Sequence, residues 1–230
     1  MPRFAPLTGL LLSIAACACA DARAENSFGI VSDYRYRGLS LSDGEPGLQA
    51  GLVWDRDDGW YAGVFAATTR IGGRDGVQAI SYLGRAWRLR SGRSWEAGIQ
   101  YVAFTSDHGE DYRELYLGLA SDRWNVRLHY EPLQLGDYGP AAYADFNANR
   151  PLGERFVLVG HVGAGWRSGD PAPYIDRVYY DARVGIGMSW GAANLSLQRV
   201  ATIGRGGYLA GELDRDAGDG GWVLSVSRTW

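Results

Sequence analysis

The side chains able to do chemistry are charged and imidazole groups set at every second position. Asp33, Arg35 and Arg37 alternate in SDYRYRG; Glu96, Glu114, Arg127 with His129, Asp145, His161, and Asp181 with Arg183 recur in similar settings. Their signs are mixed. Such a set suits an internal ion-pair network or the wall of a water-filled lumen, where fixed charges bias ion passage. The three histidines are His108, His129 and His161. His108 falls in the polar loop SDHGEDY, whereas His129 and His161 share the parity of the other charged groups. A metal site needs further ligands at matching depth, so internal hydrogen-bonded polar residues are the better reading. A lipid acyl-hydrolase would need a serine, a histidine and an acid converging at one rim. His129 and Glu114 leave that conceivable, but no GxSxG marks a nucleophile.

The elements that must carry these groups are strands. GGWVLSVSRTW puts Trp222, Leu224, Val226 and Trp230 on one face and Val223, Ser225, Ser227 and Thr229 on the other, the period-two signature of β-structure. The same alternation predicts a first strand over 28–37. Others follow near 48–55, 60–68, 77–88, 95–101, 114–119, 124–130, 143–149, 156–166, 180–188, 194–198 and 222–230. In 60–68 small residues lie on both faces and leave its orientation ambiguous. About twelve strands result, joined alternately by short turns and by longer polar connections near 40–46, 70–76, 105–112, 131–141, 167–177 and 201–220. That rhythm matches a transmembrane antiparallel β-barrel with short periplasmic turns and longer external loops.

Closure is then a physical need, because hydrocarbon cannot satisfy a free strand edge. Asp33, Arg35, Arg37, Glu96, Glu114, Arg127, His129, Asp145, His161, Asp181 and Arg183 become the expected lumen-lining set. Twelve strands enclose little space, so the lumen is expected to be narrow or partly occluded. Trp54, Trp60, Trp87, Trp95, Trp124, Trp190, Trp222 and Trp230 cluster at strand ends, where interfacial aromatic belts sit. Arg228 has lipid-face parity, yet beside the interface it can snorkel.

Composition agrees. The 23 basic residues are all arginine, the formal net charge is only -3, and Gly 33, Tyr 14 and Trp 9 suit a sheet protein with tight turns and girdles. A nucleic-acid binder would show a basic excess. Residues 1–24 read as an export signal: Arg3, the apolar run from Leu7 to Ala16, then small residues, with cleavage after Ala20 or Ala24. Residues 25–230 are the expected barrel. IAAC offers a rival site that would leave a lipidated Cys17. Both cysteines, Cys17 and Cys19, lie in this segment, so simple cleavage leaves no thiol for disulfide, metal or nucleophile. Beyond it there is no apolar stretch long enough for a membrane helix.

NSFGIVSDYRYRGLSLSDGEPGLQAGLVW, DYRELYLGL, AAYADFNANRPLG, FVLVGHVGAGW and WVLSVSRTW together resemble the TorF-type porins of proteobacteria. The matched positions are Ser32, Asp33, Tyr34, Arg35, Arg37, Gly38, Ser40, Ser42, Asp43 and Gly44, with Glu114, Tyr116 and His161. The chain departs from the pattern at Trp230, where phenylalanine is commoner, and in DRDDG and 201–220. The resemblance implies an outer-membrane location and a pore of unassigned solute. Outer-membrane barrels in general suggest that Trp230 is a signal to the barrel-assembly machinery.

The expectation is therefore an outer-membrane porin passing small hydrophilic solutes or ions by passive diffusion. Its partners would be outer-membrane lipid and lipopolysaccharide and the assembly machinery, with no cofactor, metal, nucleic acid or catalysis. A structural or adhesive barrel with a plugged lumen, and a lipid-anchored or periplasmic ligand-binding barrel, are the alternatives.

Overall fold

The computed structural model describes residues 23–106, 111–132, 139–168, 176–204 and 220–230. Residues 1–22, most of the expected export segment with both cysteines, His108 and most of the 201–220 connection lie outside them. The barrel strands are β1 (Arg23–Val31), β4 (Gly47–Asp55), β5 (Trp60–Ile71), β6 (Arg74–Arg88), β7 (Ser94–Phe104), β8 (Tyr112–Ala120), β9 (Trp124–Glu131), β10 (Ala141–Leu152), β11 (Phe156–Arg167), β12 (Val178–Trp190), β13 (Ala193–Ile203) and β14 (Gly221–Thr229). Each pairs antiparallel with its chain neighbour, and β1 also pairs with β14, from Ser27↔Thr229 to Val31↔Ser225, closing the ring. A small hairpin of β2 (Arg35–Tyr36) and β3 (Leu39–Ser40) stands apart.

Alternation decides which face looks inward. Leu115, Leu117, Leu128, Ile99, Val162 and Val184 stay about half exposed on the outer surface. So continuous an apolar band would be a liability in water; in a bilayer, lipid chains cover it while the closed ladder satisfies the backbone. β5, whose orientation the sequence left open, turns Tyr61, Ala67 and Ile71 inward as buried residues and keeps Trp60 and Val64 outside. At the short-turn end Trp54, Trp60, Trp87, Trp95, Trp190 and Trp230 are exposed, and at the opposite end Tyr101, Tyr130, Trp166, Tyr180 and Trp222 are. Arginines lie over several of these rings, Arg85 over Trp60 and Trp87 at 5.6 and 5.7 Å and Arg93 over Trp124 at 5.6 Å. Aromatic bodies with basic tips fit the headgroup zone.

Two expectations need correction. The first strand does not run to Arg37: the wall ends at Val31, and the chain next enters it at Gly47. The intervening segment folds into the ring, burying Tyr34 (0% exposed) and Leu41 (1%). Secondly, RIGGRDG is not a long connection. Gly72 and Gly73, at φ 57° and 74°, make a two-residue turn of the type that matches strand twist, and β5 and β6 continue to Ile71↔Arg74.

Candidate functional site

The inward-folded segment is organised by Asp33. Its Oδ1 accepts hydrogen bonds from Ser40 Oγ (2.5 Å) and Ser42 Oγ (3.3 Å), and its Oδ2 accepts from Arg35 Nε (2.5 Å). Tyr34 N donates to Ser42 Oγ at 2.8 Å, and Leu41 N to Tyr34 O at 2.7 Å. A loop inside a barrel must satisfy its own backbone; Ser42 Oγ and Ser40 Oγ accept from Tyr34 N and Gly44 N, and the carboxylate holds both hydroxyls. Tyr34 and Leu41 join Val31, Ile71, Val102, Phe104, Tyr112, Val200 and Val223 in an apolar cluster at the long-connection end of the lumen.

At the tip of the β2–β3 hairpin, Arg37 (φ 51°) and Gly38 (φ 84°) form a tight turn. Gly38 rests against Asp181 so closely that a side chain there would collide with it, and Thr202 Oγ1 donates to Gly38 O at 3.0 Å. Arg37 reaches β8, on the far side of the ring from β1. Its Nη1 and Nη2 donate to Glu114 Oε1 and Oε2 at 2.7 and 2.6 Å, while its guanidinium lies 4.4 Å from the centre of the Tyr143 ring. The two-pronged bond is the strong form of an arginine–carboxylate pair.

The wall groups form a connected network around this bridge. Glu114 Oε2 also accepts from Gln100 Nε2 at 2.6 Å. His129 lies between two acids, Nδ1 3.1 Å from Glu114 Oε2 and Nε2 3.5 Å from Asp145 Oδ2. His161 sits 2.7 Å from Asn147 Oδ1 and 2.8 Å from Asp181 Oδ1, and Asp181 Oδ2 accepts from Tyr143 OH at 2.8 Å. Nearer the short turns, Arg127 donates to Glu96 Oε1 through Nε (2.9 Å) and Nη2 (2.7 Å), and Tyr61 OH donates to Glu96 Oε2 at 2.8 Å. Between the hairpin and the walls lies a cavity of about 280 Å³ lined by Arg35, Arg37, Arg127, His129, Asp145, His161, Asp181 and Arg183, with Ser27, Gly51 and Ser225 on the β1, β4 and β14 side.

All the charged candidates from the sequence therefore face the interior, but by two routes. Glu96, Glu114, Arg127, His129, Asp145, His161, Asp181 and Arg183 belong to the wall strands, whereas Asp33, Arg35 and Arg37 arrive on the inserted loop. Trp230 is exposed at the short-turn end, where its backbone N and O pair with Asn26.

Inward tyrosines such as Tyr116 follow from parity, but sequence reasoning missed what they lie on. Tyr82 covers Gly63, Tyr116 covers Gly98, and Tyr179 covers Gly165, each pair facing directly across two strands. A ring laid over an inward glycine shields an otherwise bare backbone. Inward glycines inside strands are the available signal, though only register names their partners. Among the described residues no serine is hydrogen-bonded to His129 or His161, and no group of three or more His, Cys, Asp or Glu is placed to hold a metal ion.

A closed ring with an apolar exterior and a charged, hydrogen-bonded interior defines a transmembrane β-barrel. The chain belongs to the family described as bacterial protein of unknown function (Gcw_chp), matched over residues 16–230. None of the curated proteins matches it. Among solved structures it is similar to the KdgM porin (TM-score 0.55, 9% identity, covering 90% of this chain and 99% of that one). It is also similar to the NanC porin (0.56, 12%, 90% and 98%) and to the COG4313 outer membrane channel from Pseudomonas putida F1 (0.55, 11%, 93% and 97%). At these identities the likeness is one of fold.

Proposed function

We propose that the chain is an outer-membrane channel of the TorF-type porin kind, passing small hydrophilic solutes or ions by passive diffusion, with the inserted loop as its narrowest section. The observation that carries this reading is the cavity beneath the loop, large enough for water and lined by charges of both signs. Outer-membrane lipid and lipopolysaccharide would surround the apolar band, and the assembly machinery would insert it. Export with cleavage after Ala20 would keep Arg23 and Ala24, the first residues of β1. The fold likeness to two porins and an outer-membrane channel supports the reading.

Planar-bilayer recording of purified protein, shown folded by heat-dependent gel mobility, tests it. Small discrete conductance steps are expected, and their absence would sink the channel reading. One observation favours a second reading, a structural or adhesive barrel: the loop fills the long-connection end with buried Tyr34 and Leu41 and is tied across by Arg37 to Glu114. Arg37→Ala separates the two. It should raise conductance in a channel and leave a plugged barrel silent.

A further inference from the structure

Among the described residues four arginines line the lumenal cavity, and three of them are bonded to carboxylates: Arg35 to Asp33, Arg37 to Glu114 and Arg127 to Glu96. Arg183 differs. Among the described residues it has neither a hydrogen bond nor an acid within ion-pair distance, although it is only partly exposed. The nearby acids are engaged elsewhere: Asp181 holds His161 and Tyr143, and Asp145 accepts from Asn147 Nδ2 and faces His129. His161, directly opposite Arg183 on β11, turns both ring nitrogens toward Asn147 and Asp181. The next inward positions on β12 are Gly185 and Gly187, so no β12 side chain stands between the guanidinium and the short-turn end of the cavity. Gln198 folds over Gly185 and donates to Ser196 Oγ at 3.1 Å.

Asp181 and Asp145 act on the Arg183 charge only from beyond ion-pair distance, so its fork in a confined lumen has no oxygen of the described residues seated in it. Its planar fork stays protonated and matches a pair of oxygens on a carboxylate or phosphate better than it matches a halide. We infer that Arg183 is the anchor of a subsite for a small oxyanion, a carboxylate or phosphate group borne by a solute inside the barrel. This rests on the channel reading for its physiological role, though not for its detection.

The test uses the full chain folded in detergent micelles, with inorganic phosphate and acetate as separate probes. Phosphorus NMR line broadening by phosphate, and calorimetry with acetate, should show saturable binding that weakens by about tenfold or more in Arg183→Gln, the loss expected when the fork goes. Arg113→Gln, which alters an outer-face arginine lying over Tyr101, should bind like the native chain. No saturable binding of either probe to the native protein, or equal binding by Arg183→Gln, overturns the subsite. In bilayers, phosphate should reduce potassium chloride conductance of the native protein and not of Arg183→Gln, and the anion-to-cation permeability ratio should fall in the variant. A protein that binds phosphate in micelles yet gives no channel events keeps the subsite and loses the channel reading; channels indifferent to both phosphate and the substitution do the reverse.

Discussion

The contact that spans the lumen, Arg37 with Glu114, is nearly removed from solvent, with side-chain exposures of 10% and 2%. Taking away one partner strands the other charge, and breaking a buried pair in this way costs about 3–5 kcal/mol. Glu114→Gln should therefore lower the denaturant midpoint of the folded barrel markedly, as read by heat-dependent gel mobility across a urea series. The Gly–Tyr pairs give a sharper contrast. A methyl at Gly165 meets the Tyr179 ring, whereas Gly160 looks outward with nothing within 4 Å. Gly165→Ala should cost about 1–3 kcal/mol as an overpacked site and Gly160→Ala no more than ~0.5 kcal/mol; equal effects would show that the tyrosines do not hold the wall. The acids and bases of the wall strands were legible in the sequence because parity alone sends them inward. Their partners were not, because parity says which face a residue takes and nothing about which neighbour it meets.

Among the elements, most wall strands announced themselves by alternation, β5 with its small residues on both faces being the ambiguous one, and the inserted loop concealed itself in the same way. Asp33, Tyr34, Arg35, Tyr36 and Arg37 continue the period of β1 without a break, so DYRYR reads as strand although the chain has left the wall after Val31. What turns it is tertiary: Ser40 and Ser42 returning to Asp33, and Arg70 N donating to Leu41 O at 2.7 Å. RIGGRDG misled in the opposite sense, since charged residues beside two glycines look like a loop, yet Arg70 and Asp75 pair across the hairpin at 2.8 Å. Replacing 33–45 by an Asn-Gly turn, which suits a two-residue hairpin, should leave a ring that still closes through Ile30↔Leu48. It should melt earlier for want of Tyr34 and Leu41, and single-channel conductance should rise. Unchanged conductance in a folded deletion would remove the loop from the conduction path.

For the whole molecule, the outer surface was the most legible part, because lipid imposes one rule on every outward position. Leu115, half exposed on β8 two residues nearer the middle of the wall than the Tyr101↔Arg113 pair, should tolerate arginine poorly, at about 2–4 kcal/mol near the bilayer midplane. Arg228 already lies on that face beside Phe28 at the short-turn end, so Arg228→Leu should be nearly neutral. Unfolding titrations in phospholipid vesicles compare the two; indistinguishable variants would mean that lipid does not cover this band. Membrane fractionation gives the coarser check, with carbonate extraction expected to leave the protein in the pellet.

The loop hangs from the same strand that completes the ring. Ser32 N donates to Leu224 O at 2.8 Å, and Leu224 N donates to Ser32 Oγ at 3.0 Å, so the first residue past β1 is stitched to β14 at the last rung of the β1–β14 seam. The inserted loop and the closing seam are thus tied to the same end of one strand. While the seam is open, β12 and β13, whose Asp181 and Thr202 seat Gly38, join the hairpin only the long way round the sheet; once the seam shuts, Tyr34 and Leu41 are expected to be inside already. An order of assembly is the expected consequence: tuck, then fasten. A protomer caught with its seam undone would be expected to present Asp33, Arg37 and their serines to water, where a protease or a labelling reagent could count it.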